Sequence, residues 1–436
     1  MIIRTSERGI DNSGRTLVTA SLQAIIDEAA AAKGTLVITK GKYLTSTLYL
    51  KSGLTLTLEE GSELIAVTDE KEYRKAWTRI AGVMMEGYEG LLTIREQENV
   101  TVNGTGTING SGPYWWEKYW GKDTKGGIRG IYDKKGLRWA ADYDALRLRN
   151  VVVDHSRFIE LRDFTSFESG FWNVHVAFSE NVLVENVSVK SGSPVSPSTD
   201  GIDIDSSSYV TVRGCVTETN DDSICIKAGR DWDGWTAAAP CHHVLVEKCV
   251  IRSGFGVTLG SEVSGGIRDI TIRDMEFNGT DCGFRIKSSR ARRGYIKDVL
   301  VENLRMVNVK YPVHINLDWN PAYSYCSLPR GYEGDIPEVW GKLLKKIPDD
   351  VPLTKVSAVT LSDITAGYTD DYKGTVRALD IEGYEEENIQ SLTLENVHIK
   401  AHEFGIISGV DQLILRNTTI SAKGNRDERN DNYDSR

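Results

Sequence analysis

The chain has 436 residues, 40% of them hydrophobic and 26% charged, and a formal net charge of −10. That is globular composition with ample material for a core, and its acidic balance argues against nucleic acid or an anionic membrane as the main partner. No apolar run approaches the roughly 18 residues of a membrane span, and the N-terminal "MIIRTSERGIDNSG" has no basic region followed by an apolar stretch. The expected compartment is cytoplasmic, with a secreted chain trimmed of its signal as the other reading.

The first predicted element is a helix over residues 19–33. In "TASLQAIIDEAAAAKG", Leu22, Ile25, Ile26 and Ala29 share one face, Thr19 or Ser21 is the expected N-cap, and Gly34 is a stop signal. An alternating segment, "VTVNGTGTI", starts at Val100, and a Trp- and Tyr-rich stretch occupies residues 112–143. From Val182 onward one kind of segment recurs: "VLVENVSV", "VTVRGCVT", "VLVEKCVI", "ITIRDMEF", "VLVENLRMV", "VTLSDITA", "LTLENVHI", "LILRNTTI". Each alternates an aliphatic with a polar residue, the mark of a half-buried strand. Each then reaches a polar or Gly corner: Asn186, Gly214, Lys248, Asp274, Asn303, Asp363, Asn396 and Asn417.

The corners return every 21 to 34 residues or so, apart from one wider gap holding an insertion, which is the spacing of stacked solenoid coils. A β-sandwich would also show many short strands, but it has no reason to repeat the same corner chemistry. The predicted fold is all-β, a parallel β-helix whose N-terminal helix covers the open first coil. Residues 318–353, with five prolines, interrupt the repeat as 112–143 do. Long insertions project from one face of a solenoid, so both are expected to wall a cleft. A single domain is expected over 1–425, with a charged tail at 426–436. The cysteines (Cys215, Cys225, Cys241, Cys249, Cys282, Cys326) form no C-x-x-C pair and read as buried thiols.

In "STDGIDIDSSS" and "NDDSICIKAGR", Asp200, Asp203, Asp205, Asp221 and Asp222 crowd together, although each added carboxylate raises the cost of ionising the others. Stacking apolar residues inward puts Ile202, Ile224, Val257 and Phe284 on one ladder and Ile204, Ile226, Leu259 and Ile286 on another. Asp203, Cys225, Thr258 and Arg285 then face outward, with Lys287 on the same face. Asp200 lies over Asp222 at about the 4.8 Å strand spacing, and Asp221 is displaced one residue along. Two stacked acids, a third beside them and two cations further on suit hydrolysis of a glycosidic bond, in which one carboxylic acid protonates the leaving oxygen and an opposed carboxylate activates water. Arg285 and Lys287 read as a clamp for a substrate carboxylate, which makes an acidic sugar the natural ligand.

The segments "STDGID", "NDDSICIKAG", "GFGVTLGSE" and "GFRIKS" resemble, in order, the four signature segments of glycoside hydrolase family 28, the polygalacturonases and their pectin-degrading relatives. "LKSGLTLTLEEGSELI", "GTGTINGSGPYWW" and "FESGFWNVHV" resemble that family's N-terminal coils, so the likeness covers most of the chain. It implies a right-handed parallel β-helix and inverting hydrolysis with no metal or other cofactor. It also implies that Asp221 is the general acid, Asp200 and Asp222 the water-activating pair, and Arg285 and Lys287 the carboxylate-binding residues. The third segment departs from the family's usual G-H-G, reading Gly254-Phe255-Gly256. Phe255 is expected at the substrate, where an apolar face suits a less polar sugar such as rhamnose.

His175 in "FWNVHV" is a further candidate substrate contact, with packing beside Phe171 and Trp172 as the competing reading. Trp115, Trp116 and Trp120 either stack on sugars or anchor their own loop. The expected function is exo-acting, polygalacturonase-like hydrolysis of galacturonate-containing oligo- or polysaccharides. The alternative is a rhamnogalacturonan-type hydrolase. A Ca²⁺-dependent pectate lyase and a non-catalytic carbohydrate-binding β-helix stand further back.

Overall fold

The computed structural model describes residues 1–422, so the tail expected at 426–436 lies outside the described residues. Inward residues of each coil pack across its interior and against the coils above and below, and this stacking turns local alternation into a solenoid. One face is an 11-stranded parallel sheet that takes its strands in chain order, from Leu48–Tyr49 to Glu403–Ser408. The apolar ladders have the anticipated register: Ile202 pairs with Ile224, Ile224 with Val257 and Val257 with Phe284, while Ile204, Ile226, Leu259 and Ile286 pair in the same sequence. All eight side chains are 0% exposed. At roughly 1.5–3 kcal/mol for each fully buried large apolar side chain, such ladders are the main stabilising feature of the wall.

The repeated corners have a backbone reason. Asn186, Lys248, Asp274, Asn303, Asp363, Asn396 and Asn417 are left-handed, with φ between +44° and +57°. Asn and Asp tolerate that region because their short polar side chains bond locally. Here the amides also bond between coils: Asn186 Nδ2 donates to Asp163 Oδ1 at 3.1 Å, Asn396 to Asp363 at 3.1 Å and Asn417 to Asn396 at 2.8 Å.

The N-terminal helix spans Thr19–Ala31, with Leu22 and Ile26 buried over the first coil. Neither expected cap is used. The N-cap is Val18, without a side-chain cap, because Thr19 Oγ1 instead accepts the N–H of Ser46, just past the strand Gly41–Thr45, at 2.8 Å. Gly34 is required for close approach, since a Cβ there would lie 2.4 Å from the Met1 carbonyl oxygen. The left-handed residue that ends the helix is Lys33, at φ +47°.

Besides the short helix Asp231–Ala237, three excursions leave the solenoid among the described residues. One carries helices Gly112–Trp120 and Gly127–Lys134, and a second carries helices Pro321–Ser324 and Glu338–Leu343. The third, an antiparallel hairpin of Lys75–Ile80 and Val83–Tyr88, is not anticipated from the sequence. Its two-residue turn, Ala81-Gly82, has φ of +43° and +80°, and the signal for it was a Gly in a two-residue gap. The three dock on one another through a satellite core that includes Val83, Leu137, Trp139, Tyr143, Trp340 and Leu343. All six cysteines are free thiols, Cys326 half-buried and the rest buried. Among the described residues no helix is long and apolar enough to cross a membrane.

Candidate active site

The outward face carries Asp203, Cys225, Thr258 and Arg285 in paired register. Asp200, Asp221 and Asp222 precede the strands Ile202–Asp205 and Ile224–Lys227. Their coils are clamped where the Gly201 N–H donates to the Asp222 carbonyl at 2.9 Å. Gly201 permits this approach, since a Cβ would lie 2.2 Å from the Ser223 carbonyl oxygen. One carboxylate oxygen from each of Asp200, Asp221 and Asp222 lies within 4.8 Å of the other two. Asp200 and Asp222 are 3% and 1% exposed, whereas Asp221 is half-buried and the most open of the three.

The surroundings divide the three acids. Burial, opposed by Lys227 and reinforced by Asp203, Asp221 and Asp222, pushes Asp200 well above the ordinary carboxylate range. Burial and the charge of Asp222 push Asp221 up as well. Asp222 goes the other way. Burial would raise it, but Lys287, with Nζ 2.6 Å from Oδ2, and Arg285, 3.4 Å from Oδ1, hold it well below that range. The Thr258 hydroxyl also donates to its Oδ1 at 2.8 Å. The cluster therefore places its negative charge first on Asp222.

Beneath the acids runs a row of buried charges. Lys227 Nζ lies 3.2 Å from Asp200, 3.1 Å from Asp203 and 3.9 Å from Glu262, under the face of Trp172 at 3.8 Å. Asp203 is fully buried, which pushes it up to about 7 despite Lys227. Asp205 pairs with Arg79 of the hairpin at 3.0 Å.

His175 was expected among the substrate contacts, and the structure corrects that reading. The ring is 0% exposed, one coil behind the acids, where it pairs with Asp203 in the strand register. Its Nδ1 accepts from Arg149 at 2.7 Å, and burial together with Arg149 pushes the imidazole down to about 4, so it is neutral and packed. The ring edge meets Trp172 at 4.8 Å, so His175 supports the cleft from behind. Phe255 is half-buried and lies against the Arg285 guanidinium at 4.8 Å, with Trp319 on the same guanidinium at 5.6 Å. The structure sets it against Arg285. Trp115 and Trp116 anchor their loop, donating to the carbonyls of Gly110 at 3.0 Å and Ser169 at 2.9 Å.

Around the acids the cleft is lined by Ala81 of the hairpin, Arg138 and Asp142 of the first insertion, Trp319 and Tyr323 of the second, and Phe171 and Trp172 of the coil below. Arg230 ties the rim together, donating to Tyr143 Oη at 2.9 Å and to the Tyr323 carbonyl at 2.7 Å, while its own N–H donates to Gly82. Lys227 and Glu262 were not singled out in the sequence although both stand inside its matched segments. Their signal was a charged residue at or just past the end of an apolar strand, Lys227 closing Ile224–Lys227 and Glu262 following Val257–Leu259. The acid oxygens are close enough together to share a cation, but Lys287 on Asp222 and Lys227 on Asp200 already supply the positive charge there.

A parallel β-helix with clustered acids and two cations on one face is the class that fold and site define. The model of the glycosyl hydrolases family 28 matches residues 30–331, and the chain belongs to that family. It is 28% identical over 311 residues to a probable polygalacturonase of Vitis vinifera, covering 68% of this chain and 59% of that protein. It is 28% identical over 284 residues to an endo-polygalacturonase of Pectobacterium parmentieri, covering 63% of this chain and 65% of the relative. The matches thus span less than two thirds of those relatives' own length. The fold is similar to that of a hyperthermoactive exopolygalacturonase from Thermotoga maritima, with a TM-score of 0.79 at 24% identity over 97% of this chain and 92% of that one. A polygalacturonase from Erwinia carotovora ssp. carotovora superposes with a TM-score of 0.67 at 20% identity over 94% and 95%.

Proposed function

We propose that this protein hydrolyses the glycosidic bond of galacturonate-containing oligosaccharides from a chain end. The observation that carries the reading is the convergence of Asp200, Asp221 and Asp222 beside Arg285 and Lys287 in a cleft walled by three excursions. Asp221, the open acid with a raised affinity for its proton, delivers that proton to the leaving oxygen. Asp222, held ionised by the cations, orients and activates water together with Asp200. Arg285 lies over the rings of Phe255 and Trp319, and it and Lys287 receive the sugar carboxylate next to the scissile bond. The packing of three excursions beside the acids supports the reading that single residues are released from a chain end.

The acid oxygens lie within 4.8 Å, closer than the roughly 6.5–9.5 Å usual between inverting carboxyl groups. Inversion is therefore supported by the resemblance of the four segments and by the commitment of Asp222 to its cations. The test is product analysis on polygalacturonate and digalacturonate, with the anomer of the first product read by NMR. Monomer from the outset, with inverted configuration and little loss of viscosity, is expected. Retained configuration overturns the assigned roles, and an unsaturated, ultraviolet-absorbing product overturns hydrolysis itself. The rhamnogalacturonan-type alternative is favoured by Phe255 replacing a polar residue, and turnover of a rhamnosyl-galacturonate oligomer in preference to digalacturonate would establish it.

A further inference from the structure

Glu262 follows the strand Val257–Leu259 and lines the cleft with Asp200, Lys227 and Ser261. It is 4% exposed. Its main-chain carbonyl accepts the Ala228 N–H at 2.7 Å. The hairpin tip presses on its side chain so closely that a Cβ on Gly82 would lie 2.7 Å from the Glu262 Cγ. The main chain and the Cγ of Glu262 are thus each held by a neighbouring segment.

Among the described residues, no donor makes a hydrogen bond to that carboxylate, and its one ion-pair contact is Lys227 at 3.9 Å. Lys227 lies nearer to Asp200 and Asp203, at 3.2 and 3.1 Å. Burial would raise the affinity of Glu262 for a proton, yet Lys227, Arg292, Lys287 and Arg230 together keep it ionised. A buried carboxylate ordinarily accepts several hydrogen bonds, and an ionised one can only accept. Sugar hydroxyls are donors of the right kind, and this wall faces the acids that would act on the bond.

We propose that Glu262 is a specificity-determining residue whose carboxylate accepts hydrogen bonds from hydroxyl groups of the terminal sugar of a bound galacturonide. The inference rests on the hydrolase reading above. The negative charge of Glu262 also repels the sugar's own carboxylate, so it selects which edge of the ring turns toward the hairpin tip.

The test compares kcat/KM of the wild type and Glu262→Ala on digalacturonate and on analogues that each lack one hydroxyl of the non-reducing ring. In the wild type, removal of a contacted hydroxyl is expected to lower kcat/KM roughly 10- to 100-fold. Glu262→Ala loses a similar factor on the parent substrate and nothing further on that analogue. Because each comparison is between two substrates on one protein, a partly unfolded fraction cancels. Equal sensitivity of both proteins to every deoxy position overturns the proposal and leaves Glu262 as a counter-charge to Lys227. Absence of turnover of any galacturonide by the wild type is a different result, which overturns the hydrolase reading and this inference with it.

Discussion

The floor of the cleft and its rim are built by different rules. Floor residues such as Asp203, Cys225, Thr258 and Arg285 sit where strand register puts them, successive ones one coil apart and facing one way. Rim residues meet across long stretches of chain: Arg230 holds Tyr143 and Tyr323, and Lys342 Nζ donates to the Met84 carbonyl at 2.7 Å. A repeated local rule places the floor, whereas mutual docking of three excursions places the rim. The floor accordingly carries the charge chemistry and the rim its access.

The sharpest test of the floor is Asp221→Asn. Loss of a general acid is expected to lower kcat roughly 100- to 10,000-fold, while the melting temperature stays level or rises because a charge disfavoured by burial is gone. Asp200, Asp203 and Asp221 all bind protons more tightly in the folded chain than an ordinary carboxylate does. Their contribution to stability is therefore complete below the unfolded range near pH 4 and is lost as pH rises, through about 7 for Asp203. Melting curves of the wild type should fall across that window, and Asp221→Asn should flatten the fall. A steeper fall in the variant would contradict the assignment of the charges.

Lys227→Met breaks the floor from beneath. It leaves buried carboxylates without their cation, at an expected cost of about 3–5 kcal/mol, and it moves the pH profile of kcat/KM toward alkaline values as Asp200 holds its proton longer. Unchanged stability and an unmoved profile would show that Lys227 is not the counter-charge the distances imply.

Trp340→Ala addresses the rim alone. Trp340 Nε1 donates to Asp144 Oδ2 at 3.1 Å, and its ring meets Trp139 at 5.2 Å. Amide exchange should speed up in the hairpin and in residues 127–143 while the coils keep their protection, and viscosity of polygalacturonate should fall faster for each bond cut. If cleavage pattern and exchange are both unchanged, the rim does not govern access.

The smallest effect is expected of Phe255→His. A cation–π contact worth about 0.5–2 kcal/mol is lost from Arg285, so KM for digalacturonate should rise a few-fold with kcat nearly constant. An equal rise for a rhamnosyl-galacturonate oligomer is expected of a residue acting on the clamp. A change in the ratio between the two substrates would instead support the sugar-recognition role expected of Phe255 from the sequence.

Much of the floor was legible because a strand has period two and coils stack at one spacing, so the apolar pattern alone sets which residues share a face. Asn186, Asp363 and Asn396 announced the corners because few side chains accept a left-handed backbone. The same reasoning could not see that Thr19 would be taken by Ser46 or that His175 would be sealed behind Trp172 and Arg149. Nor could it see that Lys227 would be shared between Asp200 and Asp203. Sequence determined the solenoid, its register and the meeting of three acids with two cations. Only the tertiary structure decided which acid is ionised, what closes the cleft and where Phe255 points, because those depend on burial and on contacts between segments that no local period relates.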